Sequence, residues 1–184
     1  ELAGNGRDAV NFLEELVAEW YEFRGYFVRQ NVLVGKRSAG GYECELDVVA
    51  FHPESKRLVH VEASMDALSW SKRETRYQKK FDAGKRYIPE LFQGLDVPEK
   101  IEQIALIGYG SKKNRTRIAG AEIWLFEDYL RDILGELRDR KLASHAVPED
   151  KPLLRMLQYV VEHKGTVFEV LSLDPEAADA STRT

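Results

Sequence analysis

Two short stretches, ECELDVVAF (residues 43–51) and LVHVEAS (residues 58–64), most constrain how this chain can fold. Each alternates side chains at the two-residue period of a β-strand, and each carries an acidic residue inside an otherwise apolar run. In the second stretch Leu58, His60, Glu62 and Ser64 share one side, while Val59, Val61, Ala63 and Met65 share the other. In the first, Asp47 lies with Glu43 and Glu45, opposite Cys44, Leu46, Val48 and Ala50. Residues 52–57, with Pro53 and Ser55, form the turn between them. A carboxylate in the middle of such a hairpin costs several kcal/mol unless something pairs with it. A divalent cation is the expected partner of Asp47 and Glu62, and an ion pair with a nearby basic residue is the structural alternative.

The flanking sequence predicts an α/β arrangement. Phe12, Leu13, Leu16, Val17, Trp20 and Phe23 recur at helical spacing and predict a helix over residues 8–24, ended by Gly25. Residues 26–34 read as a first strand, and the glycine-rich loop at 35–43 carries Lys36 and Arg37. A further helix follows residues 66–71, with Tyr77, Phe81, Gly84 and Ile88 as its inward stripe and Lys72, Arg76, Lys79 and Lys80 largely outside it. Strands are predicted at 101–109 and 121–126 around a basic loop at 112–117, then a helix at 127–142. Residues 143–152, with two prolines, read as a linker. Leu153, Leu154, Leu157, Val160 and Val161 predict another helix, and 166–173 a short strand. Residues 174–184 are small and polar, the composition of a disordered tail.

At 184 residues, with 43% hydrophobic and 32% charged residues, the chain can bury one ordinary core. The single cysteine, Cys44, excludes an internal disulfide and is expected to be a buried, unreactive thiol in a reducing, cytoplasmic setting. No apolar run is long enough for a membrane span and no secretory signal is visible, so no membrane partner is expected. The chain opens on Glu1 rather than Met, as a processed or trimmed chain does. The net charge of −4 disfavours a general nucleic-acid binder. Between residues 72 and 86, however, Lys72, Arg73, Arg76, Lys79, Lys80, Lys85 and Arg86 face only Glu74 and Asp82, a local basic patch suited to phosphate.

Asp47 near the end of one strand and Glu62 in the next resemble the PD-(D/E)XK, or restriction endonuclease-like, nuclease superfamily, which includes Holliday junction resolvases and Mrr-type enzymes. The resemblance covers roughly residues 6 to 130 in the order helix, three strands, helix, strand. The motif lysine is replaced here by Ser64. The resemblance implies a central mixed sheet of four or five strands flanked by helices, in a nuclease-like domain at 1–142. Residues 143–173 would then dock on the core or on a second subunit. It implies Mg²⁺, with Mn²⁺ as substitute, held by Asp47, Glu62, the main-chain carbonyl of Ala63 and an acid of the first helix. Glu14, Glu15 and Glu19 are candidates for that acid, with Glu15 placed first.

The activity implied is metal-dependent DNA cleavage of restriction or repair type, by a possible homodimer. Ser64 would point at the attacking water. Lys72, Arg73 and Arg76 are the first candidates for a displaced lysine, and His60 for a general base or phosphate contact. Lys36, Arg37, Lys72, Arg73, Arg76, Lys79 and Lys80 are the expected nucleic-acid contacts. The alternatives are a catalytically inactive module of the same fold that binds DNA or assembles with partners, and a purely structural protein. His60 as a packed histidine, and Trp20, Trp70 and Trp124 as core or interface residues, are the corresponding structural readings.

Overall fold

The computed structural model describes residues 11–112 and 114–172. The expected start of the first helix at residue 8 and the polar tail at 174–184 lie outside the described residues. The chain divides into two compact units, residues 1–131 and 132–184, a boundary earlier than the linker read from the prolines.

In the first unit, α1 (Phe12–Phe23) begins at Asn11, whose side-chain oxygen accepts from the Leu13 amide. It ends at Gly25, which takes φ +84°, a backbone open mainly to glycine. Strands β1 (Phe27–Lys36), β2 (Tyr42–His52) and β3 (Arg57–Ser64) form an antiparallel meander. Helix α2 (Trp70–Leu91) crosses to β4 (Ile101–Ile107), parallel to β3, and β4 is followed by β5 (Arg117–Ile118) and β6 (Ala121–Leu125). The mixed sheet runs β1-β2-β3-β4-β6-β5, with β6 parallel to β4.

It has six strands where four or five were expected. The additional one is the two-residue β5, which begins at the last residue of the segment read as a basic loop. It closes on β6 through Ala119 and Gly120, both at positive φ, the backbone of a tight two-residue hairpin.

Strand β3 is buried along nearly its whole length, as a strand covered on both faces must be. Its Leu58 joins Ala83, Ile88 and Phe92, from α2 and its C-terminal cap, in one core cluster, and His60 meets Phe81 of the same helix, so the Leu58, His60 and Glu62 side faces α2. The α1 helix packs on β1, β2 and β3 and accounts for the burial of Val59, Val61 and Ala63 on the other face.

Strict alternation fails in β2. One cluster takes Cys44 and Leu46 and then Val49 and Phe51, so alternation slips by one residue between Leu46 and Asp47, which share a side. The ladder pairs Gln30 with Val48 and Val32 with Leu46, placing Asn31, at φ +51°, opposite Asp47. Asparagine tolerates this left-handed backbone better than most residues. The expected face, with Asp47 opposite Val48 and Leu46 alike, is corrected accordingly. Val49 pairs with His60 and Phe51 with Leu58, so Asp47, in phase with them, lies on the Glu62 side.

Helix α3 (Phe126–Leu137) contains the boundary between the units. The second unit holds α4 (Leu142–His145), α5 (Pro152–Glu162) and α6 (Lys164–Ser172). Pro152 sits at the start of α5, where its missing N–H costs nothing. The fully buried Gln158 accepts from the Val147 amide at 2.8 Å and donates to the Arg140 and His145 carbonyls, tying the preceding loop to α5. Of the short strand expected at 166–173, residues 166–172 are helical instead, and residue 173 lies outside the described residues. Only His163 separates α6 from α5, and the Val167 amide bonds to the His163 carbonyl at 3.1 Å. Local hydrogen bonding therefore continues the helix despite the β-branched residues. Among the described residues no helix is long and apolar enough to cross a membrane.

Candidate active site

The β2 to β3 ladder extends to Val48 and Val61, and beyond it carboxylates take over the backbone amides. Asp47 Oδ2 accepts from the Ala63 amide at 2.9 Å, and Glu62 Oε1 accepts from the Asp47 amide at 3.3 Å. Asp47 and Glu62 are 6% and 2% exposed. Their remaining oxygens converge on one ammonium group: Lys80 Nζ lies 2.6 Å from Asp47 Oδ1 and 2.8 Å from Glu62 Oε2.

Lys80 is three residues after Tyr77 and four before Gly84, on the flank of the inward face of α2. The expectation that it falls outside that face is corrected: its side chain is 17% exposed. That i+3, i−4 relation was the signal in the sequence.

Charge explains the ionisation of this cluster. Burial first, and then the neighbouring Glu62, push the Asp47 carboxyl up to about 6, against the pull of Lys80. Burial also raises Glu62. Burial alone would lower Lys80, but Glu62 and Asp47 outweigh it and hold the ammonium above its ordinary range. Among the first-helix acids, Glu14 is coupled to this centre. Burial and then Asp47 raise its carboxyl, while Asn11 and Lys80 oppose them. Glu15 is the acid placed first from sequence, and it is Glu14 whose carboxyl is electrostatically coupled to Asp47 and Lys80. Two carboxylates, Asp47 and Glu62, share one lysine.

His60 is completely buried. Its Nε2 is 2.7 Å from Glu62 Oε1, its Nδ1 is 3.4 Å from Gln103 Nε2, and its ring stands edge-on to Phe81. Gln103 also donates to the Phe81 carbonyl, which orients its amide. Burial pushes His60 down to about 3, so the ring is neutral and Nε2–H donates to the Glu62 carboxylate. The residue expected as a general base or phosphate contact is a buried support behind Glu62. Gly84 makes room for it: a β-carbon there would lie 2.3 Å from His60 Nδ1.

A group whose folded pKa is depressed contributes stability above its unfolded pKa and loses it as pH falls. His60 therefore loses about 1.4 kcal/mol for each pH unit below 6.5. The deficit of His60→Gln against wild type, read from denaturant midpoints, is expected to shrink by about 1 kcal/mol between pH 7.5 and 5.5. A constant deficit would contradict the neutral ring. Asp47 titrates in both proteins and cancels in the difference.

The other expected residues are distributed around this centre. The Ser64 hydroxyl accepts from the Asp66 amide and touches the Asp66 carboxylate, closing the turn after β3. Arg76 pairs with that same carboxylate. Arg73 is buried and bonds backbone carbonyls, while Lys72 is exposed one residue before it. Lys79 and Lys80 line a cleft of about 430 Å³ with Arg76, Leu33, Tyr42 and Cys44. Lys36 and Arg37 are exposed at the β1–β2 hairpin. Cys44 is buried, and burial raises its thiol. Trp20 is in the core, whereas Trp70 and Trp124 are half-buried.

Among the described residues no group of three or more His, Cys, Asp and Glu side chains forms a metal-holding cluster. Two carboxylates, with the rest of the shell left to water, remain a donor set that magnesium accepts. Compared with known proteins, the chain matches no family model and no curated protein.

Proposed function

We propose that this chain is a magnesium-dependent DNA endonuclease of the PD-(D/E)XK type in which Lys80, carried by α2, does the work of the lysine missing at Ser64. The convergence of Asp47 and Glu62 from adjoining strands on the Lys80 ammonium carries this reading. Asp47, Glu62 and the carbonyl of Ala63 would hold the ion, with Glu14 completing the acidic set. The raised carboxyls of Asp47, Glu62 and Glu14 fit a site that gains from another cation. When bound, magnesium acidifies a coordinated water and offsets charge on the phosphate.

Lys80 remains protonated, so its role is to stabilise negative charge, not to accept a proton. His60 fixes the orientation of Glu62 from behind. Lys36, Arg37, Lys72 and Lys79 are placed on exposed surface suited to a phosphate backbone. Cutting both strands of a duplex needs two such sites, which a two-fold homodimer supplies.

The purified chain with Mg²⁺ or Mn²⁺ is expected to cut at least one of plasmid, branched or single-stranded DNA, and Asp47→Ala is expected to stop it. Intact substrates in every case, with Asp47→Ala indistinguishable from wild type, would remove the proposal. A second reading, an inactive module of the same fold that binds DNA or assembles with partners, draws on the closed Asp47–Lys80–Glu62 ion pair, which satisfies the carboxylates without a metal. Manganese titration separates the two. Binding lost in Asp47→Ala supports the nuclease, and no binding supports the module.

A further inference from the structure

A second cleft, of about 360 Å³, opens at the start of α2 between the segments that follow β3 and β4. It is lined by Leu68, Ser69, Trp70, Arg73, Tyr109 and Gly110. Among its lining residues Arg73 is the one charged side chain. Arg73 is 5% exposed. One of its terminal nitrogens donates to the carbonyls of Asp66 and Tyr109, at 2.6 and 3.0 Å, and its buried Nε has no acceptor. Asp66 turns its carboxylate to Ser64 and Arg76 instead. A buried guanidinium tied only to neutral carbonyls keeps its charge uncompensated.

The helix end adds to it. Ser69 caps α2 by position, but its hydroxyl makes no cap bond, and the first turn holds no acid. The leading amides of this 22-residue helix are therefore free for an external acceptor. A second guanidinium stands next to the cleft: Arg73 and Arg115 lie 5.4 and 5.1 Å from the centre of the Trp70 ring, which lines it. Tyr109, 67% exposed, offers a further aromatic face at the rim. A structural clamp joining the two loops explains the carbonyl bonds, but neither the orphaned Nε nor Arg115.

We propose that this cleft is a phosphate-binding subsite for a nucleic-acid strand. The helix amides, Arg73 and Arg115 would receive a phosphate, and a base would lie against Trp70 or Tyr109. The nucleic-acid assignment rests on the nuclease reading, while the phosphate site itself does not. Arg73 and Lys80 are seven residues apart on α2, about 10 Å along its axis. That is roughly three base steps of a duplex strand, so one strand can occupy both sites.

The test uses the full chain without divalent metal and a 3′-labelled single-stranded 12-mer bearing either a 5′-phosphate or a 5′-hydroxyl, followed by fluorescence anisotropy. Arg115→Ala, which removes an exposed side chain, is expected to weaken binding about five- to tenfold and to reduce the salt slope by about one ion. Lys56→Ala, at the distant β2–β3 turn, is expected to leave binding as it was. Arg73→Lys, which keeps the charge without the fork, is expected to weaken binding where it folds. Inorganic phosphate is expected to change tryptophan emission in wild type and not in Trp70→Phe.

Preference for the 5′-phosphate identifies a terminal phosphate as the ligand, and equal binding an internal one. Unchanged binding by Arg115→Ala, or a phosphate response that the oligonucleotide does not compete away, overturns the subsite for a strand. If wild type cuts nothing but Arg115→Ala still weakens binding, the nuclease reading fails and the subsite stands. If cleavage depends on Asp47 and Arg115→Ala binds normally, the subsite fails alone.

Discussion

Lys80→Met is expected to reduce DNA cleavage at least about 100-fold, the scale of losing one preorganised charge-stabilising donor, and to destabilise the fold at the same time. Removing one partner of a buried ion pair costs about 3–5 kcal/mol because the other partner stays buried and charged. Here two carboxylates, Asp47 and Glu62, lose their common cation. Protonation gives them an escape, and this fixes the sign of the pH dependence. An acid whose folded pKa is raised contributes stability that is present at low pH and lost as pH rises through that pKa. Asp47 is already raised to about 6 beside Lys80, and without the lysine it and Glu62 rise further. The deficit of Lys80→Met against wild type is therefore expected to be largest at pH 8 and to shrink toward pH 5, in denaturant melts at the two values. Lys80→Arg, which keeps the charge, separates loss of the cation from loss of the fold. Equal stability at pH 8 together with undiminished cleavage would remove Lys80 from the site.

Gly84→Ala is the second large effect, and its sign runs against helix propensity. In the middle of an exposed helix, alanine stabilises by roughly 1 kcal/mol relative to glycine. At position 84 the new β-carbon would stand 2.3 Å from Nδ1 and 2.5 Å from Cε1 of His60, a side chain with no free volume to move into. Overpacking of this kind costs typically about 1–3 kcal/mol. The net expectation is a loss of up to about 2 kcal/mol in denaturant melts. Cleavage should fall further than stability accounts for, because His60 positions Glu62. A stabilised Gly84→Ala with normal cleavage would mean that α2 and β3 separate easily, and the rigid support assigned to His60 would be lost.

The sheet was legible because periodicity and turn chemistry are local. The two acidic strands, the turn between them and the aromatic stripe of α1 follow from spacing alone. Asp47 and Glu62 were legible for the same reason, since acids inside apolar strands are conspicuous. What was not legible depends on tertiary placement. Lys80 belongs to a run of basic residues, and its spacing from Tyr77 and Gly84 gains its meaning only from the docking of α2. Glu14 and Glu15 differ by about 100° around a helix, so choosing between them requires knowing where α1 sits on the sheet. The slip of alternation between Leu46 and Asp47 leaves no mark in β2 itself, because the left-handed backbone that accompanies it is that of Asn31, across the ladder. The α6 helix was misread because β-branched residues favour a strand only where a neighbouring edge receives it.

The acids of this centre ride on two adjoining strands, while its ammonium rides on a helix from a different layer. A chain whose meander had formed but whose crossover helix had not yet settled would leave both anions bare to solvent and without their counter-charge. The centre is therefore complete only when both layers are in place, and loosening that one helix would dismantle it while the strands stayed intact.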